Sequence, residues 1–213
     1  MLDPAHYHVD LAAAYVRGKR PELADLALDA LFPAAREAGL RLHRFKRTAG
    51  LPRIRRVLGV LRGLAPARMV DIGSGRGVFL WPLLDALPGV GITAIDRLPH
   101  RVADIAAVRA GGIESLTCAR MDVTALGFAD DAADVVTILE VLEHLPDPAA
   151  AARETLRVAR RAVIASVPSK EDDNPEHIHL FDQDSLSQLF RAAGASRIKI
   201  DYVLNHMVAL IQK

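Results

Sequence analysis

The sequence predicts an α/β fold: a mostly parallel, seven-stranded sheet layered with helices, its last strand antiparallel, preceded by a helical N-terminal extension. Three observations predict it. From Arg68 onward, short apolar runs alternate with helical stretches, the pattern of right-handed crossovers between parallel strands. The two final apolar runs have no helix between them, so they must pair antiparallel. The first apolar run ends in a cluster of glycines just before a helix, where a tight turn lets the main chain approach a ligand.

The elements follow in order. The first third reads as helical. Pro21 and Glu22 open a stretch with Leu23, Leu26, Ala27, Ala30 and Leu31 at helical spacing, and proline suits a first turn. Phe32 and Pro33 are expected to break it, and 34–42 forms a second short helix weakened by Gly39. Residues 48–52 form a turn, after which Ile54, Val57, Leu58 and Leu61 line one face of a helix ending near Gly63.

Strands are expected over 69–72, 90–95, 113–118, 133–139 and 162–167, with helices over 78–87, 99–110 and 149–159. A last helix over 184–193, capped by Asp184 or Ser185 and stopped by Gly194, precedes strands 196–203 and 206–211 around Asn205. The chain therefore divides into a basic helical extension, 1–67, and a sheet domain, 68–213.

Composition narrows the class. The 213 residues are 51% hydrophobic and 25% charged, with a net charge of +1, which excludes a disordered or collagen-like chain. The single cysteine, Cys118, excludes an intrachain disulfide. With no basic leader and no apolar run of about 18 residues, a cytoplasmic protein is expected. The charge is unevenly spread. Residues 1–68 hold 13 Lys/Arg against 6 Asp/Glu, a balance of +7, and residues 69–213 hold 14 against 20, a balance of −6. No acid lies between Glu37 and Asp71.

The glycine cluster reads Asp71-Ile72-Gly73-Ser74-Gly75-Arg76-Gly77. A dinucleotide loop would read Gly-x-Gly-x-x-Gly; the leading acid and shifted third glycine suit a ligand without a pyrophosphate. Asp96 ends the second strand, where an acid can accept from both ribose hydroxyls, and Asp122 follows the third, where it can take an adenine amine.

Together these residues resemble the class I S-adenosylmethionine-dependent methyltransferases, a Rossmann-like superfamily. The likeness runs over roughly 68–213. It rests on Val70 to Gly77, Ala94-Ile95-Asp96 and Met121-Asp122-Val123, on 135–147 with its Glu140, Glu143 and His144, and on 175–181 with its His177 and His179. It implies a seven-stranded sheet with an antiparallel last strand. It also implies a cofactor-binding set of Asp71, Gly73, Ser74, Gly75, Gly77, Asp96, Arg97, Asp122, Val123 and Leu139.

Methyl transfer to a hydroxyl needs alignment and removal of a proton. Glu140, His144 and His177, at the carboxyl edge of the sheet, are the candidate catalytic residues. The segment resembles ubiquinone-biosynthesis O-methyltransferases, which share Glu-x-x-Glu-His. A divalent metal held by Glu140, Glu143 and His144 with His177 or His179, as in small-RNA 2′-O-methyltransferases, is the less favoured arrangement. If 177–179 is extended, His177 and His179 share a face.

The basic third is either a solvated helix face or an acceptor-side cover that recruits an anion, with His6, Tyr7, His8 and Tyr15 as candidate pocket residues. The expected function is methyl transfer from S-adenosylmethionine to a hydroxyl or amine of a small molecule. Two alternatives stand beside it: an RNA methyltransferase gripping its substrate through the basic third, and a non-catalytic cofactor-binding module.

Overall fold

The computed structural model describes residues 2–171 and 173–213. Its seven strands are β1 (Arg68–Ile72), β2 (Gly91–Asp96), β3 (Leu116–Arg120), β4 (Ala133–Leu139), β5 (Ala159–Pro168), β6 (Arg197–Val203) and β7 (His206–Gln212). They form one sheet in the order β3-β2-β1-β4-β5-β7-β6. All neighbours run parallel except β7, which is antiparallel to both β5 and β6. β1 and β4 lie inside the sheet, covered on both faces, so buried residues follow one another along them rather than alternating with exposed ones. The strand order reverses between β1 and β4. The crevice beyond their carboxyl ends is where an open α/β sheet takes its ligand.

The helices are α1 (Val9–Lys19), α2 (Leu28–Glu37), α3 (Pro52–Leu64), α4 (Leu80–Ala86), α5 (Pro99–Ala110), α6 (Pro148–Val158) and α7 (Gln183–Ala192). Helices α6 and α7 bury Ala152, Leu156, Leu186 and Phe190 with Val70, Val136 and Ile138 of the sheet. A separate cluster joins Met69, Ile92 and Val135 of the sheet to α1, α3, α4 and α5. No helix of the described residues is long and apolar enough to cross a membrane.

The first third departs most from expectation. Helix α1 had no legible pattern because Leu11 to Val16 are all buried, which erases the polar stripe that reveals a surface helix. Pro21–Leu23 is a single 3-10 turn, and α2 runs straight through Pro33. The proline removes one helix hydrogen bond, yet Leu31, Phe32 and Ala35 are fully buried around it. Their burial outweighs that loss. α2 then stops at Ala38, with Gly39 in the left-handed region.

Smaller corrections fall at element ends. β3 starts at Leu116 and β5 takes over at Ala159. The cap of α7 is Asp182, which accepts from the Ser185 N–H at 2.7 Å while the Ser185 hydroxyl accepts from the Asp182 N–H at 2.9 Å.

The extension is built into the core. α1 crosses α5 with their main chains touching: a Cβ on Gly18 would lie 1.9 Å from the Ala107 carbonyl oxygen, and one on Gly111 would lie 1.8 Å from that of Ala14. Phe45 is fully buried between the rings of Tyr15 and Trp81, at 5.3 and 5.0 Å.

The charge split is partly matched inside the molecule. Arg44 and Lys19 pair with Asp104, Arg47 with Asp85, and Arg56 with Asp201. Several cations of the basic run are therefore spent on acids of the sheet domain. Tyr15 packs in the core and His8 is buried beside Asp85, so neither lines a cavity at the sheet edge.

Candidate functional site

The glycine loop leaves β1 at Ile72 and reaches α4 at Leu80. The Gly73 and Ser74 N–H groups both donate to the Ile95 carbonyl, at 2.8 and 3.2 Å, anchoring the loop to β2. Gly73 has φ +70°, and a Cβ there would fall 2.3 Å from a Val141 methyl carbon. Gly77 has φ +85°, and a Cβ there would fall 2.0 Å from the Trp81 ring. Both positions require glycine for conformation and for space.

Two acids brace this loop. Asp71 is buried, and its carboxylate accepts from the Thr137 hydroxyl and the Ser74 hydroxyl, each at 2.7 Å. Burial pushes its pKa up to about 6, against those two hydrogen bonds, and the nearby Asp96 charge adds to the rise. Asp96, at the end of β2, accepts from the Gly75 N–H and the Leu98 N–H, each at 2.9 Å. One oxygen of Asp122 accepts from the Thr124 N–H at 2.9 Å and its hydroxyl at 2.7 Å. Those bonds, and then the charge of Arg97, hold the Asp122 carboxyl below its ordinary range.

Two cavities open at this edge. The larger, about 480 Å³, is lined by Asp96, Arg97, Asp122, Val123, Val141 and His144 among others. The smaller, about 210 Å³, is lined by Asp71, Ser74, Gly75, Leu139, Ser166 and Arg53 among others. Ile72, Gly73 and Glu140 line both. Gly77 lines neither; it shapes the loop behind them.

Beyond β4 the candidate catalytic residues separate. Glu140 adopts φ +56°. Its Oε1 accepts from the Ser166 hydroxyl at 2.6 Å, and its Oε2 lies 3.2 Å from His206 Nε2. Glu143, His144 and His177 come together instead, with one ligand atom of each within 4.8 Å of the others. The rings of His144 and His177 meet edge to face at 4.7 Å. His144 Nδ1 lies 2.9 Å from the Glu176 carbonyl oxygen, so that nitrogen carries the proton.

The Glu143 carbonyl accepts from the Ile178 and His179 N–H groups, pinning 177–179 over the site. His179 turns away, with Nε2 2.9 Å from the Leu145 carbonyl oxygen and its ring against Phe181. Of the expected set of Glu140, Glu143 and His144 with His177 or His179, the structure brings Glu143, His144 and His177 together. His177 takes the histidine place, and Glu140 is tied to neighbouring strands.

Arg53, Ser166 and His206 are site residues the sequence did not single out. Ser166 had a signal, as a small polar residue near the end of an apolar strand. Arg53 was one arginine in a basic run. His206 had no local signal. It reaches the site because β7 is antiparallel, which puts its first residue opposite Pro168 at the carboxyl end of β5.

Residues 70–166 match the methyltransferase domain family. A ubiquinone biosynthesis O-methyltransferase from Paracidovorax citrulli is 35% identical over 111 residues, covering 48% of this chain and 44% of that protein. The chain matches less than half the length of such curated relatives. Among solved structures, a SAM-dependent methyltransferase from Aquifex aeolicus superposes with a TM-score of 0.60 at 18% identity, covering 72% of this chain and 87% of that one. An O-methyltransferase family protein from Burkholderia thailandensis gives 0.62 at 16%, covering 76% and 55%. The matched residues make 70–166 a methyltransferase domain, and the sheet order and the Asp71-to-Gly77 loop with its bracing acids agree with the resemblance to the class I S-adenosylmethionine-dependent methyltransferases.

Proposed function

We propose that the chain transfers a methyl group from S-adenosylmethionine to a hydroxyl of a small-molecule acceptor. The observation that carries this reading is the meeting of the two cavities at Gly73 and Glu140. One cavity offers the chemistry of a nucleoside site and the other that of an amino-acid site. The bound cofactor supplies an electrophilic methyl carbon on a positively charged sulfur.

The residues present fit that group. Asp96 keeps lone pairs beyond the two it spends on main-chain N–H groups, and a ribose diol would use them. Asp122 spends one oxygen on Thr124 and keeps the other for an exocyclic amine, while buried Val123 offers an apolar surface to a base. The glycine loop lets the main chain approach the methionyl part. Buried Asp71 holds that loop's shape. Arg53, on the first turn of α3, lines the smaller cavity and would pair with a carboxylate there.

In this reading the extension does not act as a detachable flap. It contributes Arg53, Ile54 and Val57 to one cavity wall. A hydroxyl acceptor is supported by the carboxylate at the junction and by the O-methyltransferase names of the relatives. Calorimetry with S-adenosylhomocysteine tests the cofactor assignment. The wild type binds, and Arg53→Gln weakens binding about tenfold, or about 1.4 kcal/mol. Wild-type protein that does not bind refutes the reading. Labelled methyl transfer into fractionated cell extract, sorted into RNA, protein and small molecules, tests the acceptor class; label confined to RNA or protein refutes a small-molecule acceptor.

A further inference from the structure

Resting on the methyl-transfer reading, we infer that Glu140 is the proton acceptor of the reaction and that His206 is its positioning residue. The inference starts from the main chain. Glu140 is a non-glycine residue at φ +56°, a conformation that costs free energy and persists only when its surroundings enforce it. Here they do: its N–H donates to the Ser166 carbonyl at 2.9 Å, continuing the β4–β5 pairing of Leu139 with Ser166. The turn delivers the side chain to the place where both cavities meet.

The carboxylate is then held from two strands. Ser166 of β5, fully buried, donates to Oε1, and His206 of β7 faces Oε2. A carboxylate only accepts, so His206 Nε2 must carry the proton in that contact. Each carboxylate oxygen has a second acceptor site, which leaves room for the hydroxyl of a substrate. His144, expected with His177 to serve as the base, donates through Nδ1 to the Glu176 carbonyl and packs its ring against His177, and neither contact fixes a carboxylate as Ser166 and His206 fix Glu140.

In the step itself, a lone pair of the acceptor oxygen forms the new O–C bond as the C–S bond breaks toward sulfur. The sulfonium becomes a neutral thioether. The proton of the acceptor hydroxyl passes to Glu140. His206 acts through Glu140, by fixing its carboxylate, and Ser166 fixes the other oxygen. A fixed proton acceptor of this kind contributes roughly 10²–10⁴-fold to rate.

The test uses full-length wild type, Glu140→Gln, His206→Ala and His206→Gln. Two measurements are made: affinity for S-adenosylhomocysteine by calorimetry, and the rate of label transfer into the extract fraction that wild type labels. Glu140→Gln is expected to transfer at least a hundredfold more slowly while its affinity stays within about threefold of wild type. His206→Ala is expected to lower the maximal rate about tenfold without raising half-saturation by the acceptor fraction. His206→Gln, which keeps an N–H facing Oε2, restores most of it, and melting curves confirm that each variant is folded.

Glu140→Gln that loses affinity in step with rate overturns the inference, because Glu140 then holds the cofactor. Wild-type rates in Glu140→Gln or His206→Ala overturn it as well. Wild type that binds S-adenosylhomocysteine and labels no fraction refutes the methyl-transfer reading, and this inference falls with it.

Discussion

Replacing Asp71 by Asn will remove a pH dependence from the stability of this protein. Asp71 is buried between the glycine loop and β4, and burial raises its pKa from 3.8 to about 6. The native state therefore holds this proton over a range where the unfolded chain has released it. Stability contributed by the proton is fully present below pH 3.8, declines as pH rises through 6, and is gone above about pH 7. The full span corresponds to about 3 kcal/mol, and the part between pH 5 and pH 8 to about 1.4 kcal/mol.

Urea unfolding of wild type and Asp71→Asn at pH 5, 6, 7 and 8 isolates the effect, because the remaining titrating groups are shared. The Asn amide must donate toward Thr137 or Ser74, whose hydroxyls both donate to the carboxylate in wild type. That mismatch adds an offset with no pH dependence. The wild-type advantage should fall by about 1.4 kcal/mol from pH 5 to pH 8. A difference that stays constant across this range would refute the account of Asp71 as a carboxylate whose ionisation is opposed by burial.

Two further outcomes follow from the geometry. Gly111→Ala places a Cβ 1.8 Å from the main chain of α1, where no side chain can yield. It should cost about 1–3 kcal/mol and lower the melting temperature by several degrees; an unchanged melting curve would mean that α1 and α5 are free to separate. Asp96→Ala strips an acceptor from the Gly75 and Leu98 N–H groups and from any bound ribose. It should weaken S-adenosylhomocysteine binding by roughly 1–3 kcal/mol, and calorimetry showing wild-type affinity would remove Asp96 from the site.

Legibility differed by region for identifiable reasons. The loop from Asp71 to Gly77 was readable because glycine at Gly73 and Gly77 is demanded by local conformation, and such demands are written into residue identity. Asp96 and Asp122 were readable because strand ends in this topology fall at predictable distances along the chain. Helix α1 was not, since burial on every side removes the contrast between polar and apolar residues. The break expected at Pro33 failed because a local penalty was outweighed by long-range burial of Phe32 and Ala35. The division at residue 68 by charge was visible, but its pairing was not: Arg44 with Asp104 and Arg56 with Asp201 join residues far apart in sequence.

The sequence by itself was enough for the layered α/β architecture, the glycine loop and the acids that brace it. These depend on hydrophobic period, turn chemistry and short spacings, all of which act over a few tens of residues. Which side chains meet at the end of β4 was a different matter. His177 rather than His179 joins Glu143 and His144 because a loop is pinned by the Glu143 carbonyl. His206 reaches Glu140 because β7 inserts antiparallel between β5 and β6, bringing a residue 66 positions away in sequence to the same sheet edge. Such contacts are set by strand order and register, which no local pattern encodes.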